Sequence, residues 1–452
     1  MTVKEAAGPT QHLGEFITSA PKANPDELAL ARLSLIDTAF AFASSAGSTV
    51  ASAFLRPEWR GSGDKTIQLC GVRLPDAAVT AALGFGSIAH ALDLDDWTTY
   101  GAAGAPLWGT LLCLADLRQI SDEPRLLDAW CVGLRTGTAL WATGRYRQAD
   151  RGLDGTDVFG SMASAAAGAR LLGLSAEQSA AAVAIAGSEM GGVVGNLGTD
   201  TEALHAGFAA RNGFQAALLA QAGIYGSDNV LEARQGFGEA CFGPADGPLP
   251  GLRDALQGGP PLESLLRLRR YPCAIDHQRV IATIESLAAS RSVAVTELDR
   301  IRVDGVPPTS EGTRYDVPRT GSEARRSLRY VLACLLADGS VTPAHFTDGA
   351  LESDRLPALF ERVEIGILPR WDSRLLDSPA EAIAVAASLP SREVLTADPS
   401  AAPLTLNPAG LLAKWEMMVG DAGNWTRDAL DAWRSAEQAG TTFPILAALR
   451  TS

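Results

Sequence analysis

The chain has 452 residues, 46% hydrophobic and 20% charged, a balance with ample apolar surface to bury. At roughly 100–200 residues per domain, that length implies two or three domains. A formal net charge of −14 with no basic cluster argues against a nucleic-acid partner, which needs a positive surface to meet phosphate, and leaves small molecules open.

Taken in order, "NPDELALARLSLIDTAFAFASSA" opens the predicted helices, with Asn24 as N-cap, Pro25 at the first helical position and apolar residues at three- and four-residue spacing. "DAAVTAALGFGSIAHAL", "PLWGTLLCLADLRQI" and "EPRLLDAWCVGLRTGTALWATGRY" follow as helices. "FGSMASAAAGARLLGL" and "SAEQSAAAVAIAGSEMGG" form a pair split by a turn, and "HAGFAARNGFQAALLAQAGI" is another long helix. Abundant alanine and few aromatics suit helices that approach closely. After about residue 270 the texture changes: "VTELDRIRVDGVP", "LFERVEIGILP" and "AEAIAVAASLPS" read as strands around the helical "SEARRSLRYVLACLLADG". "NPAGLLAKWEMMVGDAG" and "TRDALDAWRSAEQ" return to helix.

The expected fold is therefore mainly α. A large all-helical domain is formed by both chain ends, residues 1–268 and 405–452, with a smaller α+β domain inserted at 269–404. Six scattered cysteines without a C-x-x-C pair read as reduced, buried thiols. The N-terminus has no signal pattern and no uninterrupted apolar run reaches about 18 residues, so a cytoplasmic protein with no membrane segment is expected.

"GSIAHALDLDDWTTYG" puts His90, Asp93, Asp95 and Asp96 within seven positions. If residues 83–93 are helical, His90 and Asp93 share a face. An acid/base site, a capping Asp-Asp pair beside a core histidine, and a metal box are the three readings. The metal is the weakest, because four such ligands cannot all turn to one ion from a regular helix.

Six segments in order resemble the MmgE/PrpD family, whose members include dehydratases, decarboxylases and epimerases. They are "GSIAHALDLDD", "GTDVFGSMASAAAGARLLGLS", "ALHAGFAARNGFQAALLAQAGIYG", "RRYPCAIDH", "SLRYVLACLLADGSVTPAHF" and "LNPAGLLAKW". The resemblance implies a helical domain with an inserted lid, a homodimer, a small-molecule site between the domains, and chemistry without metal or organic cofactor. It assigns Asp93 and His277 as an acid/base pair across the cleft, with Asp154 and Glu202 tuning or supplying protons. Asp95, Asp96, Trp97, Ala105, Arg270 and Tyr330 are expected to line the substrate.

The carry-over is incomplete. Ala105 and Asp154 stand where members have histidines, and Glu202 where they have a lysine that meets substrate carboxylate. Such replacements turn attraction into repulsion, at roughly 1–4 kcal/mol per close like-charge contact. Asp93, Asp95, Asp154, Asp157, Glu202, Asp276 and His277 would make an unusually acidic cleft, whose crowded carboxylates raise one another's pKa. His205 and Arg211 are expected to be structural, Trp108 to be buried packing, and Cys273 not to be a nucleophile. The expected function is proton-transfer chemistry at carbon, by elimination, isomerisation or acid-assisted cyclisation, on a small substrate unlike citrate. The alternatives are a hydro-lyase or decarboxylase acting on a di- or tricarboxylate such as 2-methylcitrate or cis-aconitate, and a non-catalytic binding or scaffold protein.

Overall fold

The computed structural model describes residues 8–59, 68–75, 77–145, 147–244, 249–306, 314–367, 383–397, 408–419, 424–439, 441–442 and 444–450. The expected boundary at 404/405 lies outside them. The molecule is mainly α-helical, with small sheets.

The helices used below are α1 (Pro9–Ser19), α2 (Pro25–Ser44), α3 (Ala78–His90), α4 (Gly104–Arg118), α5 (Glu123–Gly144), α6 (Gly155–Leu172), α7 (Ala176–Ser188) and α8 (Asp200–Gln221). The expected cap of α2 is present: Asn24 Oδ1 accepts from the Asp26 and Glu27 amides, 3.0 Å each, and Glu27 answers on the Asn24 amide. Helix α8 runs through the middle, against α3, α4, α6 and α7. Small residues permit this. A Cβ on Gly86 of α3 would lie 2.7 Å from the Ala206 carbonyl oxygen of α8, so only glycine fits that crossing. Helix α2 is long and apolar enough to cross a membrane, which the apolar-run reading did not find, but 72% of that stretch is buried inside the protein. All six cysteines are free and buried.

The later segment has its own core, from Tyr271 to Leu389. It holds α9 (Ile275–Ser290), β1 (Arg300–Val306), α10 (Leu328–Asp338), β2 (Val363–Ile367), β3 (Ala384–Ser388) and β4 (Val394–Ala397). The sheet order is β2-β1-β3-β4, with β1 and β2 parallel and the other pairs antiparallel; Ile301 faces Val363, and Val303 faces Val385. Helices α11 (Pro408–Val419) and α12 (Asn424–Gln438) pack on α2, and Leu411, Trp415 and Met418 join the helical core rather than that of the sheet.

Candidate active site

Helix α3 stops at His90, earlier than the shared-face reading required. Asp93 lies beyond it in a turn, at φ +53°. Its backbone N–H donates to the His90 carbonyl at 3.1 Å. This left-handed step costs a non-glycine residue, though aspartate tolerates it better than most. The turn separates the three aspartates, whose hydrogen bonds go to different partners, although Arg269 lies within 3.9 Å of Asp95 as well as on Asp93.

Asp93 is 2% exposed and meets guanidinium groups from the later segment. Arg269 Nη1 donates to Oδ1 at 2.5 Å, Arg326 Nη2 approaches Oδ1 at 3.3 Å, and Arg325 Nε approaches Oδ2 at 3.4 Å. Burial alone would raise its pKa, but Arg326, Arg269, His90 and Arg325 outweigh it and hold the carboxyl well below the usual range. Asp95 takes a different partner: its Oδ1 lies 2.8 Å from His90 Nδ1.

Asp96 is not positioned to touch substrate, contrary to expectation. It is fully buried, accepting from the Gly104 amide and the Ser34 hydroxyl at 2.5 Å each, and so caps the start of α4. Burial pushes its pKa up to about 7. Ala105 is sealed inside α4. Trp108 stacks on Trp130 and donates to Ser34 at 3.1 Å, so it is core. Trp97 does reach the cluster, since the Arg269 guanidinium lies 4.7 Å over its ring.

Glu202, in the first turn of α8, is ion-paired to Arg326 and accepts from the Gly198 amide at 2.6 Å. The expected repulsion at this position is thereby answered by a lid cation that the sequence reading did not include. His90, Asp93 and Glu202 each bring a ligand-type atom within 4.8 Å of the others, a set that shares only His90 and Asp93 with the metal reading of the 90–96 stretch. Two of these three, Asp93 and Glu202, are already paired with guanidiniums, whereas His90 is paired with Asp95.

Asp154 caps α6 by accepting from the Thr156 amide at 3.2 Å, and its other oxygen lies 2.7 Å from His205 Nδ1. His205 shares a face of α8 with Glu202, three residues earlier, so it belongs to this constellation rather than to packing alone. Burial would lower the His205 pKa, but the hydrogen bond to Asp154 and its charge raise it. Asp154 is lowered in turn: burial raises it, and His205 outweighs that. Asp157 accepts from Ser161 at 3.0 Å and is pushed up to about 7 by burial.

His277 lies in the first turn of α9, 1% exposed, and neither ring nitrogen has a hydrogen-bond partner among the described residues. Burial pushes it down to about 3, against the charge of Asp93. Its neighbour Gln278 fixes the approach of the chain, accepting from the Arg270 and Tyr271 amides at 3.0 Å each.

Arg270 and Tyr330 lie away from this cluster. Arg270 turns outward to Glu285 at 3.0 Å, because the Trp97–Arg267 backbone pairing seats Arg269, not Arg270, over the Trp97 ring. Tyr330 sits in the lid core and donates to the His345 carbonyl at 2.5 Å. Arg211 bonds Asn212 and lies over Phe208. Cys273 is fully buried and its thiol pKa is raised by burial, which disfavours a thiolate nucleophile. The residues missed by sequence reading are Arg269, Arg325 and Arg326. Adjacent arginines in "RRY" and "ARRS" were the available signal, but only the fold shows that Arg269 of the first run and both arginines of the second turn inward.

The arrangement is a buried set of carboxylates, guanidiniums and histidines where the lid meets the helical body. It holds two carboxylate-paired imidazoles, His90 with Asp95 and His205 with Asp154, and the buried imidazole of His277 without a hydrogen-bond partner among the described residues. Residues 11–249 match the MmgE/PrpD N-terminal domain and residues 271–400 the MmgE/PrpD C-terminal domain. The chain is 29% identical over 309 residues to the human (Homo sapiens) cis-aconitate decarboxylase, covering 66% of this chain and 63% of that protein. It is 28% identical over 311 residues to the cis-aconitate decarboxylase-like protein oryM of Aspergillus oryzae, covering 62% and 63%. The chain thus spans about 63% of the length of these relatives. With both family domains matched in order across most of its length, the chain belongs to the MmgE/PrpD family.

Proposed function

We propose that this protein is a lyase-type enzyme carrying out proton transfer at carbon on a small substrate anchored by a single carboxylate. The observation that carries this reading is the closure of Arg269, Arg325 and Arg326 on Asp93 beside the unpartnered imidazole of His277. Asp93 and Glu202 already absorb much of that positive charge. The remainder suits one substrate carboxylate better than the three of a citrate-like acid.

In this reading the guanidiniums hold the substrate carboxylate and stabilise charge that develops next to it when a proton leaves the adjacent carbon. His277 takes that proton. Its low basicity in the buried site rises when an anion binds close by, so substrate binding itself prepares the base. His205, whose basicity the hydrogen bond and charge of Asp154 raise, supplies the proton that the product or leaving group requires. Support for lyase chemistry comes from the family and from relatives named for a decarboxylation.

The test is proton NMR in D2O with cis-aconitate, 2-methylcitrate and a set of unsaturated and 2-hydroxy monocarboxylates. Deuterium incorporation or loss of water or CO2 from a monocarboxylate is expected, with slower or no reaction of the tricarboxylates. Turnover of cis-aconitate at ordinary rates would overturn the one-carboxylate assignment. A protein inert toward the whole set would overturn the lyase reading.

A further inference from the structure

The turn carrying Asp93 is held from beneath by a residue far away in sequence. Lys414 of α11 is fully buried, and its ammonium spends its donors on three acceptors. These are both Asp37 carboxylate oxygens and the Leu94 carbonyl oxygen, each at 2.7 Å. Leu94 lies between Asp93 and Asp95, so this bond enters the turn at its centre. Asp37 is fixed in its turn by Trp415 Nε1 at 3.0 Å, and Trp415 stacks on Phe40 of α2 with ring centroids 5.2 Å apart.

A buried ion pair is weak grounds for stability, because desolvating both charges offsets their attraction. This pair reaches a strained segment instead. The φ of +53° at Asp93 persists only where the surroundings over-determine it, and the Leu94 carbonyl is a point at which they do.

We infer that Lys414 is a positioning residue: by holding the Leu94 carbonyl it aims Asp93 at the lid guanidiniums and Asp95 at His90, making the C-terminal helix part of the site. Its consequence for turnover rests on the proposed function, whereas its consequence for the turn does not.

The test compares three full-length proteins: wild type, Asp37→Asn, and Asp37→Asn/Lys414→Met. Both variants remove the charge pair; Asp37→Asn leaves the buried Lys414 ammonium without its counter-charge and carries the larger stability cost, whereas the double variant leaves no buried charge unpaired, and exchange in α3 reports any global loosening in either. Only the double variant loses the donor to Leu94. Amide hydrogen exchange of residues 91–98 is expected to quicken about tenfold or more in the double variant, with α3 nearly unchanged and Asp37→Asn close to wild type. On any carboxylate that wild type turns over, kcat is expected to fall in the double variant with little change in KM. The inference is overturned if residues 91–98 exchange as slowly in the double variant as in wild type, or if α3 quickens equally. A wild-type protein that turns over no carboxylate would sink the proposed function, while the exchange comparison still decides the role of Lys414.

Discussion

His277 and Asp157 are both buried titratable groups, and burial acts on them in opposite directions. For His277 the charged form is disfavoured, so the ring is neutral throughout the physiological range and available as a base. His277→Gln keeps a similar volume without a proton acceptor of comparable basicity. It is expected to lower kcat by about 10²–10⁴-fold with the fold intact, and a variant with wild-type kcat would remove His277 from the mechanism. For Asp157 the pKa is raised to about 7, so the folded state binds a proton that the unfolded state, near 4, has released. Between these values the folded form holds more protons, and stability falls as pH rises. Asp157→Asn abolishes that dependence while leaving the Ser161 bond an acceptor oxygen. Its melting temperature relative to wild type should therefore climb from about pH 4 to about pH 7 and level off above. A gap that is flat across that window in calorimetry would contradict the raised pKa. Asp93 could be picked out in the sequence, since its motif marks it, but neither its backbone strain nor its arginines were visible there.

Single elements were readable where their signals are local. Asn24, Pro25 and Glu27 announce the start of α2, and β-branched runs announce β1 and β2. Long-range pairing was not readable. Arg325 and Arg326 precede α10 by a few residues, and nothing in "SEARRS" says that they meet Asp93 and Glu202 more than a hundred positions earlier. The Arg326–Glu202 pair makes this contact measurable. Arg326→Met strands Glu202 in a buried setting and should cost about 3–5 kcal/mol, whereas adding Glu202→Gln should recover part of the loss. Strict additivity in denaturant unfolding of the two single variants and the double would mean the pair is not coupled. At the α3–α8 crossing, Gly86→Ala pushes a methyl to within 2.7 Å of the Ala206 carbonyl oxygen. Overpacking of about 1–3 kcal/mol is expected, seen as a lower midpoint with an unchanged slope.

At the scale of the whole molecule the site is an interface between two cores, one of helices and one around a sheet. Its charged groups are almost wholly enclosed, so the proposed reaction requires the two parts to separate for a substrate to enter. Besides the buried ion pairs, the lid is fastened at its rim. Arg314 donates to the Val194 and Gly195 carbonyls at 2.9 and 2.6 Å, Tyr315 donates to the Leu197 carbonyl at 2.7 Å, and Ser322 donates to Asp200 at 2.6 Å. These contacts close on the 194–200 segment, whose Gly198 amide binds Glu202, so the rim and the charged cluster favour the same closed arrangement. Arg314→Ala removes two rim bonds that lie outside both cores, and at about 1–2 kcal/mol for the pair it shifts the lid toward open forms. Because the closed fraction scales the apparent affinity, calorimetric binding of a carboxylate probe should weaken, by at most about 5–30-fold, the full factor appearing where the open form predominates. The melting temperature should barely move, since neither core is touched. Unchanged affinity in this variant would mean that the rim does not govern closure, and a large fall in melting temperature would mean that lid and body unfold as one unit.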